Sequence, residues 1–323
     1  MMNGMMRLAK TACLSAALAG SACKLPEESP PGTGGGSTAT TSTVGTGGAT
    51  TSSGVGGATT SSGTGGTNAV GSRCAASPEE VYCPYEVQSL PGKLGIMRDV
   101  MWQVPLGTPP AAGWPVVLLF QGSFYGPPLM FDGPAGGPHG VYHLALTIKS
   151  LLDAGYAVLA PAAHVEGGLF WDTNVPPWSI DWTDAPDNVF MQAIFAAIPT
   201  GKMGPLDASR LYATGISSGG YMTSRMAVSY PGKFRALAVH SGSYATCSGP
   251  ICLLPDTLPS DHPPTLFLHG EIDLVVPINT MKAYATLLQT EGKETRVVTN
   301  PTAGHEWLSV GPKEVVAWFD AHP

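Results

Sequence analysis

Charge is scarce in this chain. Only 12% of its 323 residues are Asp, Glu, Lys or Arg and the formal net charge is −7, so there is no basic stripe to neutralise phosphates and nucleic acid is excluded as a partner. Long hydrophobic runs are missing as well. The apolar stretch at 11–19 is too short to remain in a bilayer as a spanning helix. The cysteine spacings, C-x8-C and C-x4-C, come without the histidines a zinc site needs, and His139 with His143 reads as structural despite ligand-like spacing, so no metal is expected. The GxG patterns before residue 72 follow no strand and open no helix, which excludes a dinucleotide loop.

What is present begins with an address. Arg7 and Lys10 precede the short apolar run, and Gly20-Ser21-Ala22 supplies small residues for cleavage, so 1–22 reads as an export signal. Cys23 follows at once. Gly-Ser-Ala-Cys is similar to a bacterial lipobox with Gly20 where leucine is usual, which leaves two outcomes open: a lipid anchor on Cys23, or free secretion after cleavage at Ala22. Residues 23–72 then read as the anchor site and a tether, because Gly, Ser, Thr, Ala and Pro fill them and GGATTSSG occurs at both 47–54 and 56–63 with no face to bury. Residues 73–323 suit one catalytic domain. The expected location is secreted or cell-surface, with membrane contact only through the anchor, and the expected state is a monomer. If Cys13 leaves with the signal and Cys23 is acylated, Cys74, Cys83, Cys247 and Cys252 remain, an even number for an oxidising compartment. Three pairings are possible, and proximity favours Cys74–Cys83 with Cys247–Cys252.

From Arg98 onward short apolar runs alternate with helix-like stretches, the pattern of an α/β fold with a mostly parallel central sheet and helices on both faces. Strands are expected over 116–120, 157–160, 210–213, 236–240, 265–269 and 295–299, and helices over 142–154, 187–198, 218–230, 279–291 and 312–321. Asp184 and Asp187 read as caps of the second helix and Asn279 of the fourth.

Chemistry concentrates at Gly215-Ile216-Ser217-Ser218-Gly219, a G-x-S-x-G between a strand and a helix, which reads as a nucleophile elbow. A serine hydroxyl needs an imidazole to take its proton and a carboxylate to hold that imidazole. Asp273, after the 265–269 strand, is the carboxylate candidate, with Glu271 its competitor, and His305, after the last strand, is the base candidate. Serine, acid, histidine is the α/β-hydrolase chain order.

The stretches Leu206-Asp207-Ala208-Ser209-Arg210-Leu211-Tyr212, Ser217-Ser218-Gly219-Gly220-Tyr221-Met222-Thr223 and Tyr230-Pro231-Gly232-Lys233-Phe234-Arg235-Ala236 resemble the secreted poly(3-hydroxybutyrate) depolymerase and feruloyl esterase family of α/β-hydrolases. The resemblance implies hydrolysis of carboxylic esters outside the cell without a cofactor, with Ser217, Asp273 and His305 as the triad and an ester, polymeric or small, as the substrate. It departs in one place: the family usually carries His-Gly after the third strand, and this chain has Gln121-Gly122.

That loop should supply one backbone donor of an oxyanion hole, Ser123 first and Phe124 second, with Ser218 N–H as the other. Phe124, Trp178, Trp182 and Trp307 are candidate substrate contacts, and the tryptophans of the long 162–186 connection read equally well as packing. Two rival functions stand beside the esterase: a serine peptidase of the prolyl oligopeptidase type, for which a large upstream propeller is not seen, and a noncatalytic binding lipoprotein, against which the complete triad speaks.

Overall fold

A computed structural model describes residues 71–163 and 170–323, so the expected export signal, the expected anchor at Cys23 and the expected tether up to residue 70 lie outside the described residues. The central sheet has eight strands: β1 (Glu86–Pro91), β2 (Met97–Gln103), β3 (Trp114–Phe120), β4 (Ala157–Pro161), β5 (Leu206–Ile216), β6 (Phe234–His240), β7 (Thr265–Gly270) and β8 (Thr295–Asn300), in the order β8-β7-β6-β5-β3-β4-β2-β1. Strands β3 to β8 run parallel, while β2 is antiparallel to both of its neighbours. Among the described residues, five helices of ten or more residues cover the faces: α1 (Val141–Asp153), α2 (Pro186–Ala197), α3 (Ser218–Ser229), α4 (Ile278–Thr290) and α5 (Gly311–Asp320).

Strand β3 shows why the sheet is sandwiched. All seven of its residues are buried, and its side chains alternate between two cores. Val117 and Leu119 pack with Leu144, Ile148 and Leu151 of α1 and Val315 and Phe319 of α5. Val116, Leu118 and Phe120 pack with Phe190 and Ile194 of α2 and Met222 and Met226 of α3. Helix α1 buries Val141, Leu144, Ala145, Ile148, Leu151 and Leu152, a stripe at helical spacing, and it ends where Gly155 takes φ +93°.

A small antiparallel sheet of Ala75–Ala76, Glu80–Tyr82 and Asp132–Pro134 lies outside the main one. Cys74–Cys83 staples it, and Cys247–Cys252 closes a loop between β6 and β7. Arg73 ties the start of this sheet down by donating to the carbonyls of Val104 and Pro105.

The expected caps are corrected. Helix α2 starts at Pro186 behind Ala185 with no side-chain cap, Asp184 is exposed, and Asp187 turns inward instead. Its carboxylate is fully buried 2.8 Å from the Arg98 guanidinium. Helix α4 likewise starts behind Pro277, so Asn279 lies inside its first turn and caps nothing.

Candidate active site

The chain enters the site at the turn from β5 into α3. Ser217 has φ +59° and ψ −122°, a conformation side chains rarely adopt, and its N–H donates to His240 O at 3.1 Å. The flanking glycines permit the turn. A Cβ on Gly215 would meet Gly219 O at 2.5 Å, and one on Gly219 would run into the carbonyls of Phe120 and Gln121. Strand, turn and helix therefore approach at backbone contact, with the serine lifted above the end of the sheet.

Asp273 and His305 arrive from the neighbouring strand ends. His305 Nδ1 is 2.8 Å from Asp273 Oδ2, while Asp273 Oδ1 accepts the N–H groups of Val275 and Val276 at 2.9 and 2.8 Å. Burial pushes the Asp273 carboxyl upward, but the His305 contact and those two N–H donors outweigh it and hold the group below the ordinary carboxylate range. An ionised Asp273 fixes the proton of His305 on Nδ1 and leaves Nε2 as the acceptor. Glu271 is occupied elsewhere, accepting from Thr299 Oγ1. His269, near the end of β7, is buried and bonds Val276 O at 2.8 Å; burial lowers its pKa.

Ser217 and His305 line one cleft of about 210 Å³ together with Ser123, Phe124, Tyr125 and Val275. Gly122, Ile216 and His139 complete its wall. His139, which the sequence marks as structural, lies at the wall of the cleft. It lies in the turn before α1, its Nδ1 donates to His305 O at 3.1 Å, and its own carbonyl accepts Trp307 N–H at 2.9 Å, so it props the loop that carries the base.

A model described as the prolyl oligopeptidase family matches residues 142–248 and 255–321. The chain belongs to that family. It is 53% identical over 258 residues to a poly(3-hydroxyoctanoate) depolymerase of Pseudomonas fluorescens, covering 78% of this chain and 92% of the relative. A shorter stretch of 42 residues is 55% identical to feruloyl esterase B of Thermothelomyces thermophilus, covering 13% of this chain and 14% of that one. Among solved structures, a dipeptidyl aminopeptidase IV-type protein of Bacteroides ovatus superposes with TM-score 0.51 at 13% identity, over 74% of this chain and 36% of that one, and shares the fold. This family member is a serine ester hydrolase of the α/β-hydrolase type.

Within it, the tryptophans proposed as substrate contacts are corrected to packing. Trp307 is fully buried, stacked 3.5 Å from the His240 ring, with Nε1 donating to Thr147 Oγ1. Trp182 donates to Tyr230 Oη and lies under the Arg225 guanidinium, and Trp178 is half-buried under Lys93. None of the three lines the cleft: the indole N–H groups of Trp182 and Trp307 find buried hydroxyl acceptors, and Lys93 and Arg225 cover the rings of Trp178 and Trp182. Phe124 does line it and is 77% exposed.

The long connection is held by two buried arginines. Arg225 donates to Thr173 Oγ1, Thr173 O and Ser179 O, and Arg98 donates to Ala162 O beside its ion pair with Asp187. Asp187 Oδ2 in turn accepts Asp172 N–H at 2.5 Å. Burial, and then the Asp187 charge, push the Asp172 carboxyl up to about 7. Sequence patterning gave no sign of this cluster, since its members stand far apart in the chain and their pairing follows from burial.

Proposed function

We propose that the protein is an extracellular serine esterase acting through an acyl-enzyme on polyesters of 3-hydroxyalkanoic acids or their oligomers. The observation that carries the substrate class is the apolar mouth of the cleft. Ile272, Leu274 and Val275 flank the acid, Phe124 stands on the wall, and all four are exposed, Leu274 at 93%. A Cβ on Gly249 would come within 3.5 Å of Val275 O, so the loop that carries exposed Ile251 and Leu253 runs beside Val275. Such a surface suits an alkyl-substituted polymer better than a charged metabolite. The related depolymerase agrees with that chemistry, and the two disulfides fit an oxidising compartment outside the cytosol.

In this reading Ser217 Oγ attacks the ester carbonyl while His305 Nε2 takes its proton, and Asp273 stabilises the imidazolium. The N–H of Ser218 and one from the loop at Ser123 receive the oxyanion. Collapse passes the proton to the departing alcohol and leaves the acyl group on Ser217; water, activated by His305, then releases the acid and restores the serine.

The test is a fluorophosphonate label followed by initial rates on poly(3-hydroxyoctanoate) dispersion, 3-hydroxyalkanoate oligomers, p-nitrophenyl esters, methyl ferulate and a chromogenic dipeptide amide, with Ser217→Ala as blank. Labelling at Ser217 with turnover of the hydroxyalkanoates is expected. Ferulate turnover alone would move the substrate to esters of hydroxycinnamic acids. Amide turnover without ester turnover would move it to peptides, a second reading motivated by the family match, and a label on Ser218 would overturn the nucleophile assignment.

A further inference from the structure

Gln121 follows directly on β3, and the structure gives it three hydrogen-bond partners. It is 1% exposed. Its Nε2 donates to Tyr125 O at 2.6 Å, closing the turn that contains Ser123 and Phe124, and Phe124 holds φ +69° inside that turn. Its Oε1 accepts Ala163 N–H at 3.2 Å. Its main-chain carbonyl accepts the indole N–H of Trp171 at 3.0 Å.

Trp171 continues the chain of contacts to the other half of the site. The residue is fully buried, its ring meets Phe120 edge-on at 5.1 Å, and its backbone N–H donates to Ser218 Oγ at 2.9 Å. One tryptophan is thus bonded through its indole to the root of the 121–125 turn and through its backbone to the first residue of α3. Its own position is fixed by the next residue, whose N–H is held by Asp187.

We propose that Gln121 and Trp171 act as a brace that sets the gap between the two backbone segments receiving the oxyanion, the 121–125 turn and the N-terminus of α3; this rests on the serine-esterase reading above. Neither residue lines the cleft, so both are positioning residues. An oxyanion is stabilised best by donors already aimed at its position, and two segments tied to one buried tryptophan, one through its indole and one through its backbone, keep that aim without reorganising during the reaction. The brace also explains how the turn keeps its shape with glutamine at 121. A side-chain amide both donates and accepts, so it closes the turn on Tyr125 and ties it to Ala163 at the same time.

The experiment uses Gln121→Met, which keeps length and volume but removes both side-chain bonds, and Trp171→Phe, which keeps an aromatic ring but removes the indole N–H. Rates on p-nitrophenyl butyrate and the affinity of phenylboronic acid, whose tetrahedral adduct on the serine places an oxygen in the hole, are measured together. Each substitution should lower kcat by roughly 10- to 100-fold, somewhat less than deletion of a donor, with KM within about threefold. Boronate affinity should fall in step with kcat/KM. A purely structural role would lower the melting temperature and the amount of active protein while leaving the kcat of active sites, counted by phosphonate titration, and the boronate affinity within twofold of wild type. That result in both variants overturns the brace. If wild-type protein takes no label at Ser217, the parent reading falls and the brace with it; label at Ser217 with unchanged kinetics in the variants sinks the brace alone.

Discussion

Replacing Asp172 by asparagine should stabilise the protein more at pH 8 than at pH 5. Asp172 is buried against Asp187, and its carboxyl is pushed from 3.8 to about 7, first by burial and then by that charge. A carboxyl raised in the folded state binds its proton more tightly there than in the unfolded chain. Its contribution to stability is complete below about 4 and is lost as pH climbs through 7. Between pH 5 and pH 8 the wild type should therefore lose roughly 2–3 kcal/mol through this one group. For a domain of this size that corresponds to about 5–10 °C in melting temperature. Asparagine mimics the protonated form, since its amide can donate to the Asp187 carboxylate and its oxygen can accept Asp187 N–H, which Asp172 Oδ2 accepts at 3.3 Å. Thermal unfolding followed by near-ultraviolet circular dichroism at both pH values, disulfides intact, gives the difference between the two proteins, and titrations common to both cancel. An equal difference at pH 5 and pH 8 would refute the reasoning.

Three further outcomes follow from named contacts. Asp273→Asn removes the carboxylate that fixes the His305 tautomer and should lower kcat on p-nitrophenyl butyrate by on the order of 10⁴ while the fold, checked by circular dichroism, persists. Cys74→Ser with Cys83→Ser opens a loop spanning nine positions and should cost about 2–3 kcal/mol in urea unfolding. Leu253→Ser with Leu274→Ser changes two side chains exposed at 83% and 93%, so soluble-ester rates should stay within about twofold while adsorption to poly(3-hydroxyoctanoate) film and film hydrolysis fall severalfold; equal film rates would remove the apolar mouth as an adsorbing surface.

The sequence was most informative where local chemistry and tertiary structure demand the same thing. Buried parallel strands are nearly continuous apolar runs, so β3, β4, β6 and β7 were legible to within two residues, and the elbow was legible because glycine on both sides of a serine has a steric cause. Chain order brought Asp273 and His305 together before any distance was known. The antiparallel strands β1 and β2 were not named in advance, since exposed residues interrupt their apolar pattern at the sheet edge. Asp187 looked like a cap because acidic residues ahead of a helix usually are; its ion pair with Arg98, 89 positions earlier, has no local signature. The tryptophans were ambiguous for a similar reason. An indole can face a substrate or a core equally well, and what decided it was whether Tyr230, Thr147 and Gln121 offered acceptors to their N–H groups.

The Arg73 clamp and the adjacent Cys74–Cys83 bond also have a mechanical consequence. Tension transmitted through the chain ahead of Gly71 reaches two carbonyls, Val104 O and Pro105 O, through a guanidinium, and then a covalent crosslink that keeps the strand at Ala75–Ala76 from peeling beyond Cys83. None of those residues lines the cleft. A domain pulled or sheared from its N-terminal side would take the strain at that fastening, with the hydroxyl, imidazole and carboxylate kept in register.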